Sequence, residues 1–301
     1  MIDSIRLIIH RHIDLSQNQS LDFLKEEMHV DGTYSKLYTY KNMRIEEKDF
    51  NIYISGSLTK LALGNNYLNA SRNDIRNAAN ELCKVIGFKI NEAVVTRIDL
   101  GIVVVTNHCS RMYIEHLRPP NNRYEWITHK TGITFRNESK SIILYDKVEE
   151  SGNNSLKNKN LLRYEIQIRK GCKKFLLNEC KVSIPNDNKL STVLTDEYFD
   201  FFKSYLNNTY TMIKKDNIKL ILPFPETPSE FLKFGFTLWL KNQDMNQIIM
   251  TINNFYKKNK IKAHNRRKMI QMINTLAVSN LYTYNLMSEL TNKITSEINK
   301  F

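Results

Sequence analysis

From residue 94 to 105 the chain reads Val-Val-Thr-Arg-Ile-Asp-Leu-Gly-Ile-Val-Val-Val, and eight of these twelve residues are β-branched. Such side chains are stiff at χ1 and fit a pleated surface, so the run is a strand. Twelve residues are too few to span a bilayer as a helix, which needs about 18 or more apolar residues. A long, largely buried strand needs partners, so the first part of the chain must build a sheet. Arg97 and Asp99 interrupt the run two residues apart. Strand side chains alternate between faces, so both point to one side. Buried strands seldom carry charges unless these are paired or functional.

Other segments follow the same period. Ile2 to Ile13 alternates Ile5, Leu7 and Ile9 with Arg6 and His10, as a half-buried strand does. Thr33–Tyr40, Phe50–Ile54, Gly132–Arg136, Ser141–Val148 and Leu161–Ile168 read as further strands. A helix is expected from about Asn73 to Ile86, capped by Ser71 or Asn73 and stopped by Gly87, and a short one over Cys109–Leu117. After about residue 190 the period becomes helical. Thr195 opens one helix, and Thr227-Pro228-Ser229-Glu230 opens another with a cap, a first-turn proline and a glutamate. Helices are expected near 228–242, 244–259, 264–278 and 280–300. The chain therefore reads as α+β, with a sheet domain over 1–185 and an all-helical domain over 186–301.

Charge narrows the partners. Lys and Arg number 44 against 31 Asp and Glu, a formal net charge of +13 over 301 residues. An excess of this size points to nucleic acid, the alternative being a solvated Lys- and Asn-rich surface. The start of the chain lacks the long apolar stretch of a secretory signal, and no membrane partner is expected. Cys83, Cys109, Cys172 and Cys180 form no CxxC pair and read as reduced thiols of a cytosolic protein.

Two more strands repeat the pattern of Arg97 and Asp99: Tyr145 with Lys147, and Arg163 with Glu165. If the strands share a sheet, one face gathers carboxylates, guanidiniums, an ammonium and a phenol. The plain alternative is a row of cross-strand salt bridges on a solvated face. The functional reading is a site. Two carboxylates on adjacent strands suit a hard cation such as Mg2+ or Mn2+. A phenol beside them could act as a covalent nucleophile if Lys147 or the cation lowers its pKa from about 10. Arg97 and Arg163 could bind phosphate oxygens or orient the carboxylates.

At these residues the chain resembles the filamentous-phage gene II/X replication initiators, which are rolling-circle endonucleases. The shared segments, in order, are Met1-Ile2-Asp3, Ser55 to Lys60 with Leu63-Gly64-Asn65-Asn66, Thr96-Arg97-Ile98-Asp99, Tyr145-Asp146-Lys147 with Glu149 and Glu150, and Leu162-Arg163-Tyr164-Glu165. A basic stretch follows (Arg169, Lys170, Lys173, Lys174), and Lys257 to Met269 is similar to the family's basic C-terminal helices. The resemblance implies an antiparallel-sheet rolling-circle nuclease domain followed by the helical domain. It implies that Tyr145 nicks one strand at an origin, holds the 5′ phosphate and frees a 3′-OH. The partners implied are single-stranded and supercoiled origin DNA, a host helicase and a host DNA polymerase, all in the cytoplasm of a bacterial cell.

The His-hydrophobic-His metal strand of the most familiar rolling-circle nucleases does not stand beside Thr96–Val105. His10-Arg11-His12 has the spacing but reads as two polar strand-end histidines. The metal is therefore expected on Asp99 and Glu165, with Glu149 or Glu150 as a third ligand. Lys60, Asn65 and Asn66 are candidate origin contacts. Lys257, Lys258, Lys260, Lys262, Arg266, Arg267 and Lys268 form an acid-free helix-turn-helix-like junction suited to DNA phosphates. Tyr113 and Tyr124 are possible second nucleophiles, and Tyr164 is expected in the core. Two other functions share these features: a non-catalytic DNA-binding regulator on the same fold, and a metal nuclease that uses water.

Overall fold

The structure is a computed structural model and describes residues 1–28, 34–168, 171–176, 187–216, 219–222, 227–241, 243–277 and 282–301. In chain order the elements begin with strands β1 (Ile2–Ile9), β2 (Asp22–Met28), β3 (Tyr34–Tyr40), β4 (Met43–Lys48) and β5 (Asn51–Ser57). Helices α1 (Leu58–Leu63) and α2 (Arg72–Ile86) lead to β6 (Ala93–Val105), α3 (Ser110–Ile114), β7 (Leu117–Arg118), β8 (Glu125–Thr128), β9 (Gly132–Arg136) and β10 (Lys140–Asp146). Next come α4 (Lys147–Ser151), β11 (Leu161–Ile168), α5 (Cys172–Lys174), α6 (Leu190–Val193), α7 (Asp196–Met212) and β12 (Lys214–Lys215). The last elements are β13 (Lys219–Leu222), α8 (Pro228–Lys241), α9 (Met245–Lys257), α10 (Ala263–Ala277), β14 (Tyr282–Asn285) and α11 (Leu286–Asn299).

Among the described residues ten strands form one antiparallel sheet in the order β2-β3-β4-β5-β1-β6-β11-β10-β9-β8. The strand with the β-branched run, β6, lies near its middle, between β1 and β11. Alternation divides the sheet into two faces. One presents Ile5, Leu7, Ile54, Ile98, Leu100, Leu162, Tyr164, Ile142, Leu144 and Phe135, all buried. Tyr164 is in this core, as expected, and its hydroxyl donates to the Leu206 carbonyl of α7 at 3.0 Å. The other face carries the polar members of the same strands.

The helix expected near 73–86 is α2. Ser71 and Asp74 form a reciprocal capping box, and Gly87 closes the helix in the left-handed region. The capping box expected at Thr227 and Glu230 opens α8. Three expectations shift. The strand from Ile2 ends at Ile9 rather than Ile13. The strand from Ser141 ends at Asp146, because the Asp146 side chain accepts from the Val148 and Glu149 amides and starts α4. The helix expected over 280–300 starts at Leu286, behind the short strand β14, which pairs with β13. The edge strand β2 and strand β4 carry no pattern that marks them in the sequence.

The chain divides into two compact units, Met1–Asn217 with Met287–Phe301, and Ile218–Leu286. This differs from a boundary at 185/186. The apolar faces of α7 (Phe199, Phe202, Leu206) and α11 (Leu290, Ile294, Ile298) are buried within the sheet's unit. Tyr210 Oη on α7 lies 3.4 Å from Thr291 Oγ1 on α11.

Candidate active site

Register brings Tyr145, Arg163 with Glu165, and Arg97 with Asp99 to one face. Tyr145 on β10 stands opposite Arg163 on β11, Glu165 stands opposite Gly101 on β6, and Gln167 opposite Asp99. The charged groups around Tyr145 are not on a solvated surface. Arg163 is 2% exposed, Lys147 1%, Asp99 3% and Glu165 6%. A row of solvated salt bridges therefore does not describe them.

Arg163 is the hub. Its Nη2 pairs with Asp3 Oδ2 at 2.7 Å, its Nε donates to Glu165 Oε2 at 3.3 Å, and its Nη1 donates to the Asn66 carbonyl at 3.0 Å. Asp3 is the member that sequence reading does not single out. Ile2 pairs with Leu100 and Ser4 with Asp99, so Asp3 is the extra residue of a β-bulge. The bulge turns its carboxylate onto the polar face, where plain alternation would point it into the core. Ser57 Oγ donates to Asp3 Oδ1 at 3.1 Å and accepts the Lys60 amide at the start of α1. The small-residue segment after β5 thus abuts the site through Ser57 and the Asn66 carbonyl.

Arg97 holds Asp99 with two bonds, Nε to Oδ1 at 3.0 Å and Nη2 to Oδ2 at 2.8 Å. Burial is the main cause that pushes the Asp99 carboxyl up to about 6. Arg97 opposes it, and the charges of Glu165 and Asp3 add to it. Glu165 Oε1 accepts from Gln167 Nε2 at 2.8 Å. Among the described residues no group of three or more His, Cys, Asp or Glu side chains is arranged to hold a metal ion. The hard oxygens of Asp99 and Glu165 still suit Mg2+ or Mn2+, which bind through one or two carboxylates and keep several waters.

Tyr145 is half-buried, and burial chiefly raises its phenol above the ordinary value. Arg163 lowers it, while Glu165 and Glu150 raise it further. Lys147 is not on the strand with Tyr145 but is the first residue of α4. Its Nζ donates to Glu150 Oε2 at 2.6 Å and lies 5.7 Å from the Tyr145 ring centroid. Glu149 lies 3.8 Å from Lys130. Glu150 and Glu149 thus lie beside Lys147 and Lys130.

Two glycines shape the site. Gly132 faces Tyr145 across β9 and β10, and a Cβ there would sit 2.5 Å from Tyr145 Cβ and closer still to the Leu144 carbonyl. At Gly101 a Cβ would stand 3.0 Å from Arg163 Nη2.

The other candidates fall as follows. His10 Nδ1 contacts Asn51 Oδ1 at 2.9 Å and His12 Nε2 lies 3.1 Å from Glu47, so the two histidines go separate ways. Lys60 is exposed on α1, and Asn65 bonds back to its own loop. Lys173 and Lys174 are exposed on α5, while Arg169, Lys170 and Cys180 lie outside the described residues. Cys83, Cys109 and Cys172 are free thiols. Tyr113 is buried, with its hydroxyl bonded to Glu289. In the second unit Lys257, Lys258, Lys260, Lys262, Arg267 and Lys268 are exposed or at the margin of exposure. Arg266 is tied to Asn253 at 2.7 Å and lies 5.4 Å over the Tyr256 ring. No helix among the described residues is long and apolar enough to cross a membrane.

Similarity to known proteins follows the same elements. No curated protein matches the chain. Among solved structures, the rolling-circle replication initiator protein from Geobacillus stearothermophilus is similar at 10% identity. The similarity covers 77% of this chain and 89% of that one, with a TM-score of 0.42. The Phage CRI family model, described as the N-terminal part of a replication-associated protein, matches residues 1–187. That span holds β1 to β11 and every buried charged residue of the site. The chain therefore belongs to the Phage CRI family of replication-associated proteins.

Proposed function

We propose that this protein starts rolling-circle replication by nicking one DNA strand at an origin, with Tyr145 as the nucleophile. The observation that carries the reading is the register of Tyr145 against the buried Arg163, beside Glu165 and Asp3, on the same face as Arg97 and Asp99. The part-exposed Arg97 is suited to face a scissile phosphate, and the buried Arg163 fixes Glu165 and Asp3 beside Tyr145; positioning and charge neutralisation are most of what phosphoryl transfer asks of a protein. The phenol oxygen attacks phosphorus, its proton leaves, the P–O3′ bond breaks, and the 3′ oxygen departs and is protonated. The 5′ phosphate stays on Tyr145, so the reverse attack by a 3′-OH reseals the strand without ATP.

Burial raises the Tyr145 phenol, so the free side chain is a poor nucleophile near neutral pH. It acts only once phosphate and counter-charges are in place. A divalent cation on Asp99 and Glu165 would add charge neutralisation at the phosphate. The basic junction of α9 and α10, with Lys60, Asn65, Asn66, Lys173 and Lys174, is proposed to grip origin DNA. The displaced strand and the free 3′-OH would then engage the host helicase and polymerase.

The test uses supercoiled origin DNA with Mg2+ or Mn2+. Wild type gives nicked circles and a denaturation-resistant protein–DNA adduct, and Tyr145→Phe gives neither while still binding DNA. Nicking without any adduct would instead favour water as the nucleophile, and binding without nicking a regulator.

A further inference from the structure

A second feature of the polar face lies away from Tyr145. Arg44 on β4 stands opposite Ser55 on β5. Ser55 stands opposite Arg6 on β1, and Arg6 opposite Arg97 on β6. Cross-strand partners share a face. Three arginines and a serine thus line up over four adjacent strands, three steps of about 4.8 Å each. Arg97 is taken by Asp99, and Arg44 lies 3.7 Å from Glu46. Among the described residues the side chains of Arg6 and Lys48 have no hydrogen-bond or ion-pair partner. Arg6 stands directly opposite Arg97, and like charges so placed destabilise a sheet, which Asp99 offsets at Arg97 but nothing among the described residues offsets at Arg6.

The row borders a concavity of about 590 Å³ whose lining carries three cations, Arg6, Arg44 and Lys48, and two acids, Glu46 and Asp49, together with Tyr53 and Ser55. That volume is in the range of a small-ligand site. Its scale is that of one or two nucleotides. Tyr53 offers a ring on which a base can stack, and the arginines offer forks for phosphate.

We propose that the row Arg44–Ser55–Arg6–Arg97, with Lys48 and Tyr53, is a single-stranded DNA site on the sheet face that carries Tyr145, displaced along the strands from it, since Arg97 lies six residues along β6 from Val103, which is level with Arg163 and Tyr145. It rests on the nicking reading for the strand it would hold, but its binding test does not involve cleavage. Arg6→Gln/Arg44→Gln is compared with wild type and Tyr145→Phe, using a labelled single-stranded oligothymidylate and a blunt duplex over a range of salt. The expected result is at least tenfold weaker single-strand binding in the double variant. The slope of log affinity on log salt should fall by about 1.4, for two phosphate contacts at about 0.7 each. Duplex binding stays within about twofold, and Tyr145→Phe binds the single strand as wild type does. The urea midpoint of Arg6→Gln is not lowered, because the substitution relieves repulsion. Unchanged single-strand affinity, an equal loss on duplex, or a fall in the midpoint would overturn the proposal. Loss of the adduct at Tyr145 would overturn the nicking reading alone.

Discussion

The charged residues of the site are held by their neighbours. Arg163 is fixed by two carboxylates and a carbonyl, with Gly101 leaving just enough room for its guanidinium. Removing one partner of a buried ion pair typically costs about 3–5 kcal/mol. Asp3→Ala should therefore lower the unfolding free energy by about 3 kcal/mol in urea denaturation, and an unchanged value would remove Asp3 from the network. Gly132→Ala would place a methyl group against the Leu144 carbonyl and Tyr145, and overpacking of this kind costs about 1–3 kcal/mol. Asp99 behaves oppositely. Its folded pKa is raised to about 6, so its ionised form is disfavoured on folding. The stability it favours is present at low pH and lost as pH rises through about 6. Asp99→Asn should therefore abolish nicking yet raise stability by about 2 kcal/mol near pH 8, with the gain gone near pH 4. Equal stability at both pH values would contradict this. The two-apart spacing in the sequence makes Arg97, Asp99, Arg163 and Glu165 legible. Asp3 is not, because a bulge set by β6 decides where it points.

Elements with their own start and stop signals are legible, and those defined only by partners are not. Helix α2 carries Ser71, Asp74 and Gly87 at its ends, so its limits can be read locally. Ser71→Ala should cost about 1 kcal/mol. The Ser71 bonds also hold the Asp74 carboxyl below its ordinary value. The contribution of that capping box is therefore present at neutral pH and disappears as pH falls below the carboxylate range. A capping penalty that persisted in acid would show that Asp74 takes no part. Strand β2 is exposed along its whole length and carries Lys25, Glu26 and Glu27. An edge strand charged on this pattern resists pairing with other chains, and it has no apolar alternation to betray it. Strand β10 reads two residues too long, because Ile-Leu-Tyr-Asp-Lys-Val alternates plausibly until Asp146 turns it into a cap.

At the scale of the whole molecule the order of sheet then helices is legible, while the helices that belong with the sheet are not. The switch of period near residue 190 says where strands stop, not what a helix packs against. Helix α11 holds the sheet unit through several ties. Glu289 accepts the Asn107 amide at 2.9 Å, and Lys293 Nζ donates to the Val105 carbonyl at 2.7 Å. Leu290, Ile294 and Ile298 are buried. A chain ending before Leu286 should unfold at a clearly lower urea midpoint than the full chain, and an equal midpoint would show that α11 adds nothing. The net charge of +13 is likewise a sum over the chain, and it does not reveal that the Arg97 and Arg163 charges are matched by Asp99, Asp3 and Glu165 while the run Lys257–Lys268 carries seven cations and no acid.

Peptide mapping of the covalent complex shows which residue attacks the DNA. The protein is incubated with supercoiled origin DNA and Mg2+, the adduct is digested with protease and nuclease, and the residue carrying the nucleotide is located by mass spectrometry. A phosphodiester on Tyr145 is the expected result. A nucleotide on Tyr113, Tyr124 or any other residue, or complete nicking with no modified peptide, would contradict it.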